Sequence, residues 1–298
     1  MATPAFRFAP SPNGALHMGH AYSAALNHRM AKAAGGRFLV RIEDIDLARA
    51  DAVLEADILR DLEWLGLEFE RPVRRQSDHL ADYAEALAHL RNMGLVYPAF
   101  MSRSEIRAHA LDAEAAGRPV PRDPDGVPLY PGLERHWPQA RRISEMAAGR
   151  PYSWRLDMEA AIAAIGAPLT WRESGLAPGQ THAGPQHLAV ADPAVWGDVI
   201  LARRDAPGSY HLAVVADDAL QDISTVVRGN DLYHATAIHR LLQDLLGLPA
   251  PDYLHHRLVL GPDGRKLSKS LASQSIRALA DSGLSPSEIL ELAGFEQA

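Results

Sequence analysis

The sequence predicts an α/β chain built around a nucleotide-binding unit, and three observations predict it. Phe6 and Phe8 alternate with Arg7 between Ala5 and Ala9, the pattern of a short strand. A turn at Asn13-Gly14 leads into helical character from Met18 to Ala33, stopped by Gly35-Gly36. Arg37 to Ile42 then reads as a second strand. Strand, glycine-containing loop, helix, strand is how a nucleotide-binding α/β unit begins.

The remaining elements follow in order. Ala52 to Leu65 is amphipathic, with Leu54, Ile58, Leu62 and Leu65 on one helical face. Leu80 to Met93 is similar and ends at Gly94. From Val96 to Leu176 the pattern loosens, and Pro119, Pro121, Pro124, Pro128 and Pro131 crowd together with Gly126 and Gly132. This reads as an insertion between two halves of one domain. Ser209 to Val215 and Ser224 to Val227 are expected to be strands that resume the sheet, and Ala235 to Leu246 a helix stopped by Gly247 and Pro249. The stretch from Leu271 to Ala298 has room for two short helices. The predicted organisation is therefore a first half over residues 1–95, an insertion over 96–176, a second half over 177–270 and a helical tail over 271–298.

Composition bounds the function classes. With 298 residues, 47% hydrophobic and 22% charged, the chain reads as a globular protein of one large domain or two modest ones. No apolar run approaches the ~20 residues of a membrane span. The start, Met1-Ala2-Thr3-Pro4, lacks the basic and apolar regions of a secretory signal. There are no cysteines, which excludes disulfides and thiolate metal sites and suits a cytoplasmic location. A net charge of −7 argues against broad nucleic-acid binding. Local basic clusters remain candidates for phosphate contacts: Arg71, Arg74 and Arg75; Arg135, His136, Arg141 and Arg142; Arg203 and Arg204.

Two segments carry the chemistry. His17-Met18-Gly19-His20 places two imidazoles on one side of a helix N-terminus, where backbone N–H groups and the dipole already favour phosphate. Gly19 leaves room for a flat base against the helix. Lys266-Leu267-Ser268-Lys269-Ser270 follows a turn at Gly261-Pro262-Asp263-Gly264, and its lysines suit a leaving pyrophosphate. Each segment alone is weak. In this order in one chain, they are what a site needs to hold a nucleoside triphosphate during attack on its α-phosphate.

This pair resembles the two signature motifs of class I aminoacyl-tRNA synthetases. Arg7-Phe8-Ala9-Pro10-Ser11-Pro12, Arg41-Ile42-Glu43-Asp44-Ile45-Asp46, Ser209-Tyr210-His211-Leu212-Ala213 and Val227-Arg228-Gly229-Asn230-Asp231 are similar to the glutamyl branch. The resemblance runs from about residue 5 to 275. It implies a Rossmann-type catalytic domain, ATP with Mg²⁺, and L-glutamate as substrate. His17 and His20 would stabilise the α-phosphate, and Lys266 and Lys269 the pyrophosphate. Gly19 would lie against ATP. Glu43 would meet the ammonium of glutamate, Arg7 and Arg228 would line its pocket, and Ser11 and Tyr210 would hydrogen-bond it. Asp44, Asp46 and Asp231 are caps or supporting partners.

The chain stops soon after Ser270, without the helical anticodon-binding domain of a full glutamyl-tRNA synthetase. In this it resembles the glutamyl-queuosine tRNA(Asp) synthetases, which attach glutamate to queuosine in the tRNA(Asp) anticodon rather than to the 3′ end. The alternatives are a truncated synthetase charging tRNA(Glu) and a non-catalytic synthetase-derived binding protein. No membrane and no obligate protein partner is expected. That subfamily commonly binds zinc, but the matching positions here are Ala99, Met101, Tyr130 and Glu134, too few donors for a tetrahedral site. No zinc is expected, and packing by Ala99, Phe100, Met101 and Leu133 is expected in its place.

Overall fold

The protein was analysed as a computed structural model, which describes residues 3–180, 182–204, 206–259 and 275–295. The opening unit is β1 (Ala5–Phe8), α1 (Met18–Ala33) and β2 (Arg37–Ile42), with β2 parallel to β1 and Ala5 opposite Arg37. Helix α2 (Ala52–Trp64) crosses to the two-residue β3 (Arg74–Arg75), parallel to β2, and α3 (Leu80–Asn92) follows. Helices α2 and α3 are legible from their period because each buries one face, whereas β1 and β2 are buried on both.

The looser segment holds β4 (Val96–Ala99), α4 (Arg103–Ala115), α5 (Gln139–Ala147), β5 (Ser153–Leu156), α6 (Met158–Ala164) and β6 (Thr170–Glu173). Then come β7 (His187–Val190), β8 (Ile200–Arg203), α7 (Tyr210–Leu220), β9 (Thr225–Gly229), α8 (Thr236–Leu245) and β10 (Asp252–His256), with α9 (Ile276–Asp281) and α10 (Pro286–Leu292) in the tail. Strands β9 and β10 are parallel, and β10 continues to β6 and the antiparallel β7. Ser224, just before β9, bonds both main-chain groups of Ala5, which seats β9 beside β1. The chain thus leaves β1 toward β2 on one side and returns with β9 and β10 on the other. In parallel α/β sheets such a reversal opens a crevice at the strand ends.

A separate antiparallel sheet, β4-β5-β8, lies outside that layer. Sheet membership crosses residue 176 in both directions: β6 joins the parallel layer, while β8 pairs with β5. One core packs Phe6, Phe8, Leu16, Ile58 and Leu62 around β1 and β2. A second packs Tyr83, Leu90, Leu212 and Ile238 of α3, α7 and α8 with Leu156 and Leu201 of β5 and β8.

One expected strand is a helix. Ser209 to Val215 forms the cap and first turns of α7, with the Ala213 N–H donating to the Ser209 carbonyl at 2.9 Å. The run from Leu212 to Asp218 is buried throughout. A helix enclosed on all sides has no polar face to display a 3.6-residue period, so its apolar run is indistinguishable from a central strand.

Candidate active site

The first turn of α1 sets the state of both histidines. His17 is the N-cap, in extended conformation, and its Nδ1 accepts the Gly19 N–H at 3.1 Å. The His17 N–H donates to His20 Nδ1 at 3.2 Å, completing a capping box built from two imidazoles. Because each Nδ1 is an acceptor, the proton of each neutral ring is on Nε2. The rings stack with centroids 3.8 Å apart. His20 is pushed down to about 3 by burial, with His17 adding to the effect. Gly19 leaves the His17 ring in place: a Cβ there would stand 3.0 Å from His17 Cε1, and the ring would have to give by a few tenths of an ångström.

Behind β1 and β2 lies a buried charge network. The Arg7 guanidinium grips Asp218 with two bonds, Nε to Oδ1 at 3.0 Å and Nη2 to Oδ2 at 3.3 Å. Arg41, fully buried, reaches Asp218 at 2.8 Å, Glu43 at 3.2 Å and Asp217 at 3.6 Å. Burial opposes the Asp218 carboxylate, but Arg7 and Arg41 outweigh it and hold its pKa below the ordinary value. For Glu43 the balance is reversed: burial lifts its pKa despite Arg41 and Arg7. A cation arriving at Glu43 would relieve that strain.

Arg228, on β9, is buried and meets only neutral acceptors among the described residues. Nε donates to His255 Nε2 at 3.1 Å, Nη1 to His239 Nδ1 at 3.1 Å and to the Tyr210 hydroxyl at 3.4 Å, and Nη2 to Thr236 Oγ1 at 2.7 Å and the Leu232 carbonyl at 3.3 Å. Those bonds set the tautomers outward. The His255 Nδ1–H donates to Glu173 at 2.6 Å, and the His239 Nε2–H donates to His211 Nδ1 at 3.2 Å. Burial brings His255 and His211 down to about 4 and holds His239 well below its ordinary value, so all three stay neutral beside the guanidinium. Glu173 is held against β10 by close backbone approach: a Cβ on Gly175 would lie 2.2 Å from the His255 carbonyl oxygen.

In front of this framework lies a cavity of about 630 Å³. Ser11, Glu43 and Tyr210 border it, with His211, while Arg7 and Arg228 stand one layer behind. Tyr210 links Arg228 to the cavity, and Arg41 links Glu43 to Arg7 through Asp218. His17 and His20 are at the neighbouring helix start. Lys266 and Lys269 lie outside the described residues. Their flanks do not: Val259 packs on Met18 and Tyr22, and Ser275 bridges His17.

Comparison with known proteins bears on this constellation. Residues 5–160 and 186–294 match the family described as tRNA synthetases class I (E and Q), catalytic domain. The chain belongs to that family. A protein named glutamyl-Q tRNA(Asp) synthetase, from Rhodobacter capsulatus, is 44% identical across 97% of this chain and 99% of its own length. A protein named glutamate–tRNA ligase 2, from Acidithiobacillus ferrooxidans, is 34% identical across 93% of this chain and 54% of itself. The crystal structure of a glutamate tRNA ligase from Elizabethkingia meningosepticum in complex with its amino acid superposes with a TM-score of 0.71 at 26% identity. It covers 95% of this chain, which spans about half of that longer protein (54%).

The zinc positions implied by the subfamily resemblance do not fit the metal in this class I chain. Ala99 offers no donor atom and is packed with Tyr97, Ile106 and Tyr130. Glu134 accepts from the Tyr130 hydroxyl at 2.5 Å and the Phe100 N–H at 3.2 Å, so its oxygens are committed. Arg155 lies over the Tyr130 ring at 4.0 Å, and Phe100 stacks on Trp137. Leu133, expected to pack here, is instead exposed.

Most basic residues singled out in the sequence are engaged. Arg71 pairs with Glu63, Arg74 with Asp217 and Asp82, Arg75 with Glu55, and Arg135 with Asp198 and Glu159. Arg141 covers Trp137, Arg142 donates to the Arg135 carbonyl, and Arg204 donates to the Gly149 carbonyl. Asp44 accepts from both Ser77 groups and Asp46 pairs with Arg49, so each supports a local turn. The sequence reading missed Glu173, His239 and His255, whose only signal was three polar residues within apolar runs. It also missed Arg103, Arg107 and Trp196, which border the cavity.

Proposed function

We propose that the protein activates L-glutamate with ATP and transfers it to queuosine in the anticodon of tRNA(Asp). A glutamate α-carboxylate oxygen attacks the α-phosphorus of ATP, and the bond to the bridging oxygen of pyrophosphate breaks, giving glutamyl-adenylate. A hydroxyl of the queuosine cyclopentenediol then attacks the activated carbonyl, AMP leaves, and the hydroxyl proton passes to solvent. Mg²⁺ would enter with ATP as part of that substrate, on the phosphate oxygens.

The observation that carries the reading is Arg228: a buried guanidinium in a wholly neutral shell, one bond behind a cavity bordered by Glu43. A buried guanidinium whose direct partners are all neutral favours an anion, and a carboxylate fits its planar fork. The 3.4 Å bond to Tyr210 and the 3.3 Å bond to Leu232 are the weakest, and those are the bonds a side-chain carboxylate would replace. Glu43, lifted by burial, suits the ammonium. The Nε2–H groups of His17 and His20 are then donors for phosphate oxygens as charge develops in the transition state. Val259 and Ser275, the described residues on either side of Lys266 and Lys269, lie beside that helix start, which supports a role for the lysines on the pyrophosphate.

The test is glutamate-dependent ATP–pyrophosphate exchange without tRNA, followed by labelled-glutamate transfer to bulk tRNA that contains or lacks queuosine. Exchange with transfer to the queuosine pool alone is expected. Equal transfer to both pools would indicate 3′-end charging, as the names of some relatives suggest. No exchange would remove the catalytic reading.

A further inference from the structure

Resting on that activity, we propose that the outer part of the cavity docks the acceptor nucleotide of a single-stranded RNA loop, its base on Trp196 and its neighbouring phosphates on Arg103, Arg107 and Arg203.

The cavity, at about 630 Å³, is larger than a free amino acid needs. Ser11, Glu43 and Tyr210 mark one end. The outer wall includes residues of α4, β8 and the single turn of 3₁₀ helix over Pro193–Trp196, together with the loop over 123–130.

That wall carries unspent positive charge. Arg103, Arg107 and Arg203 are exposed, and none makes an ion pair or side-chain hydrogen bond among the described residues. Arg103 and Arg107 are four apart on α4 and share a face. They stand in its first turns, behind the Ser102 N-cap, where the helix dipole is already positive. Glu105, in the same turn, is committed to the capping box with Ser102 and makes no ion pair with either arginine among the described residues. Two carboxylates on the same wall are neutralised by arginines, and a third accepts from main-chain N–H groups. Asp198 accepts from Arg135 at 2.6 Å, Asp123 caps its own turn through the Asp125 and Val127 N–H groups, and Asp46 is held by Arg49. On a chain of net charge −7 this is a local basic mouth, matched to a few phosphates and unsuited to coating a long duplex.

Trp196 supplies the stacking face. Its Nε1–H donates to the His234 carbonyl at 3.1 Å, which fixes the ring plane, and its ring meets His211 edge-on at 6.2 Å between centroids. Unpaired bases of RNA loops are bound by stacking on such fixed aromatic rings, with arginines on the flanking phosphates. The base would then hold its sugar-phosphate strand at the mouth while its substituent reaches inward toward the activated carbonyl.

The experiment compares two rates in each variant: glutamate-dependent ATP–pyrophosphate exchange without RNA, and labelled-glutamate transfer to queuosine-containing tRNA across a salt series. In Arg103→Gln/Arg107→Gln, exchange stays within twofold of the parent. Its KM for tRNA rises about tenfold or more, and the log–log salt slope shrinks by roughly 0.7 per arginine removed. Trp196→Ala lowers transfer kcat/KM about tenfold to a hundredfold, and Trp196→Phe restores most of it. Transfer and salt slope unchanged in the double arginine variant would overturn the proposal. So would loss of exchange in step with transfer, which would put these residues at the adenylation site. Absence of exchange in the parent protein would overturn the proposed activity itself, and the docking site with it.

Discussion

Arg228 donates all of its N–H groups to uncharged atoms, which is an unusual condition for a buried guanidinium. Arg228→Lys keeps the charge and loses the fork. With charged hydrogen bonds contributing about 1.5–3 kcal/mol each, the glutamate KM in pyrophosphate exchange is expected to rise roughly tenfold to a hundredfold. An unchanged KM would remove Arg228 from the substrate pocket. Gly19 gives a second residue-level test with opposite signs for stability and activity. Alanine is a better helix former than glycine by about 1 kcal/mol, so Gly19→Ala should be no less stable in urea. Its methyl group would press on the His17 ring at 3.0 Å, so exchange should fall at least tenfold. Arg7 shows why residue type alone was insufficient: the fork expected to face substrate is closed on Asp218. No sequence spacing announces a pair separated by so much chain.

At the level of the element, the start of α1 combines two roles in one ring. His17 caps the helix through Nδ1 and presents Nε2–H as a donor. The two roles separate by substitution. His17→Asn retains a capping oxygen, and its unfolding free energy should stay within a few tenths of a kcal/mol of the parent, while exchange falls at least a hundredfold. His17→Ala should lose the same activity and, in addition, about 1 kcal/mol of stability. Equal activity in the asparagine variant would show that the ring serves only as a cap. The bounds of α1 and β2 were readable because glycines and a two-residue alternation frame them. Helix α7 was not, since its whole circumference is enclosed by α3, α8 and β8 and its polar residues, Asp217 and Asp218, are buried in ion pairs.

Across the whole molecule, the buried neutral histidines give a definite acid response. His20 titrates near 3 in the folded state, His211 and His255 near 4, and His239 lower than its ordinary value, all because burial disfavours the charged ring. In the unfolded chain each takes up its proton near 6.5. Between those limits the unfolded state binds more protons, so stability rises with pH and falls on acidification. The slope is at most roughly 1.4 kcal/mol per pH unit for each histidine. Glu43 has the opposite sign, because its raised folded pKa favours the folded state as protons are added. Glu173 and Asp218, held low, withdraw their contribution only as pH falls through their folded pKa values. The melting temperature should therefore drop steadily from pH 6.5 toward 4.5. A flat profile over that range would show that these rings are accessible to protons in the folded protein.

The sequence by itself determined the opening α/β unit and pointed to Ser11, Glu43 and Tyr210, which border the cavity. Those features are local: a two-residue or 3.6-residue period, a glycine at a turn, a histidine at a helix start. The tertiary structure decided what local pattern cannot carry. It joined Arg7 on β1 to Asp218 on α7, set Arg228 among His239, His255 and Thr236, and committed Glu134 to the Tyr130 hydroxyl. It also separated the spent arginines from the unspent ones. The charge of an arginine is written in the sequence, but whether a carboxylate neutralises it depends on which distant strand the fold brings within hydrogen-bond reach.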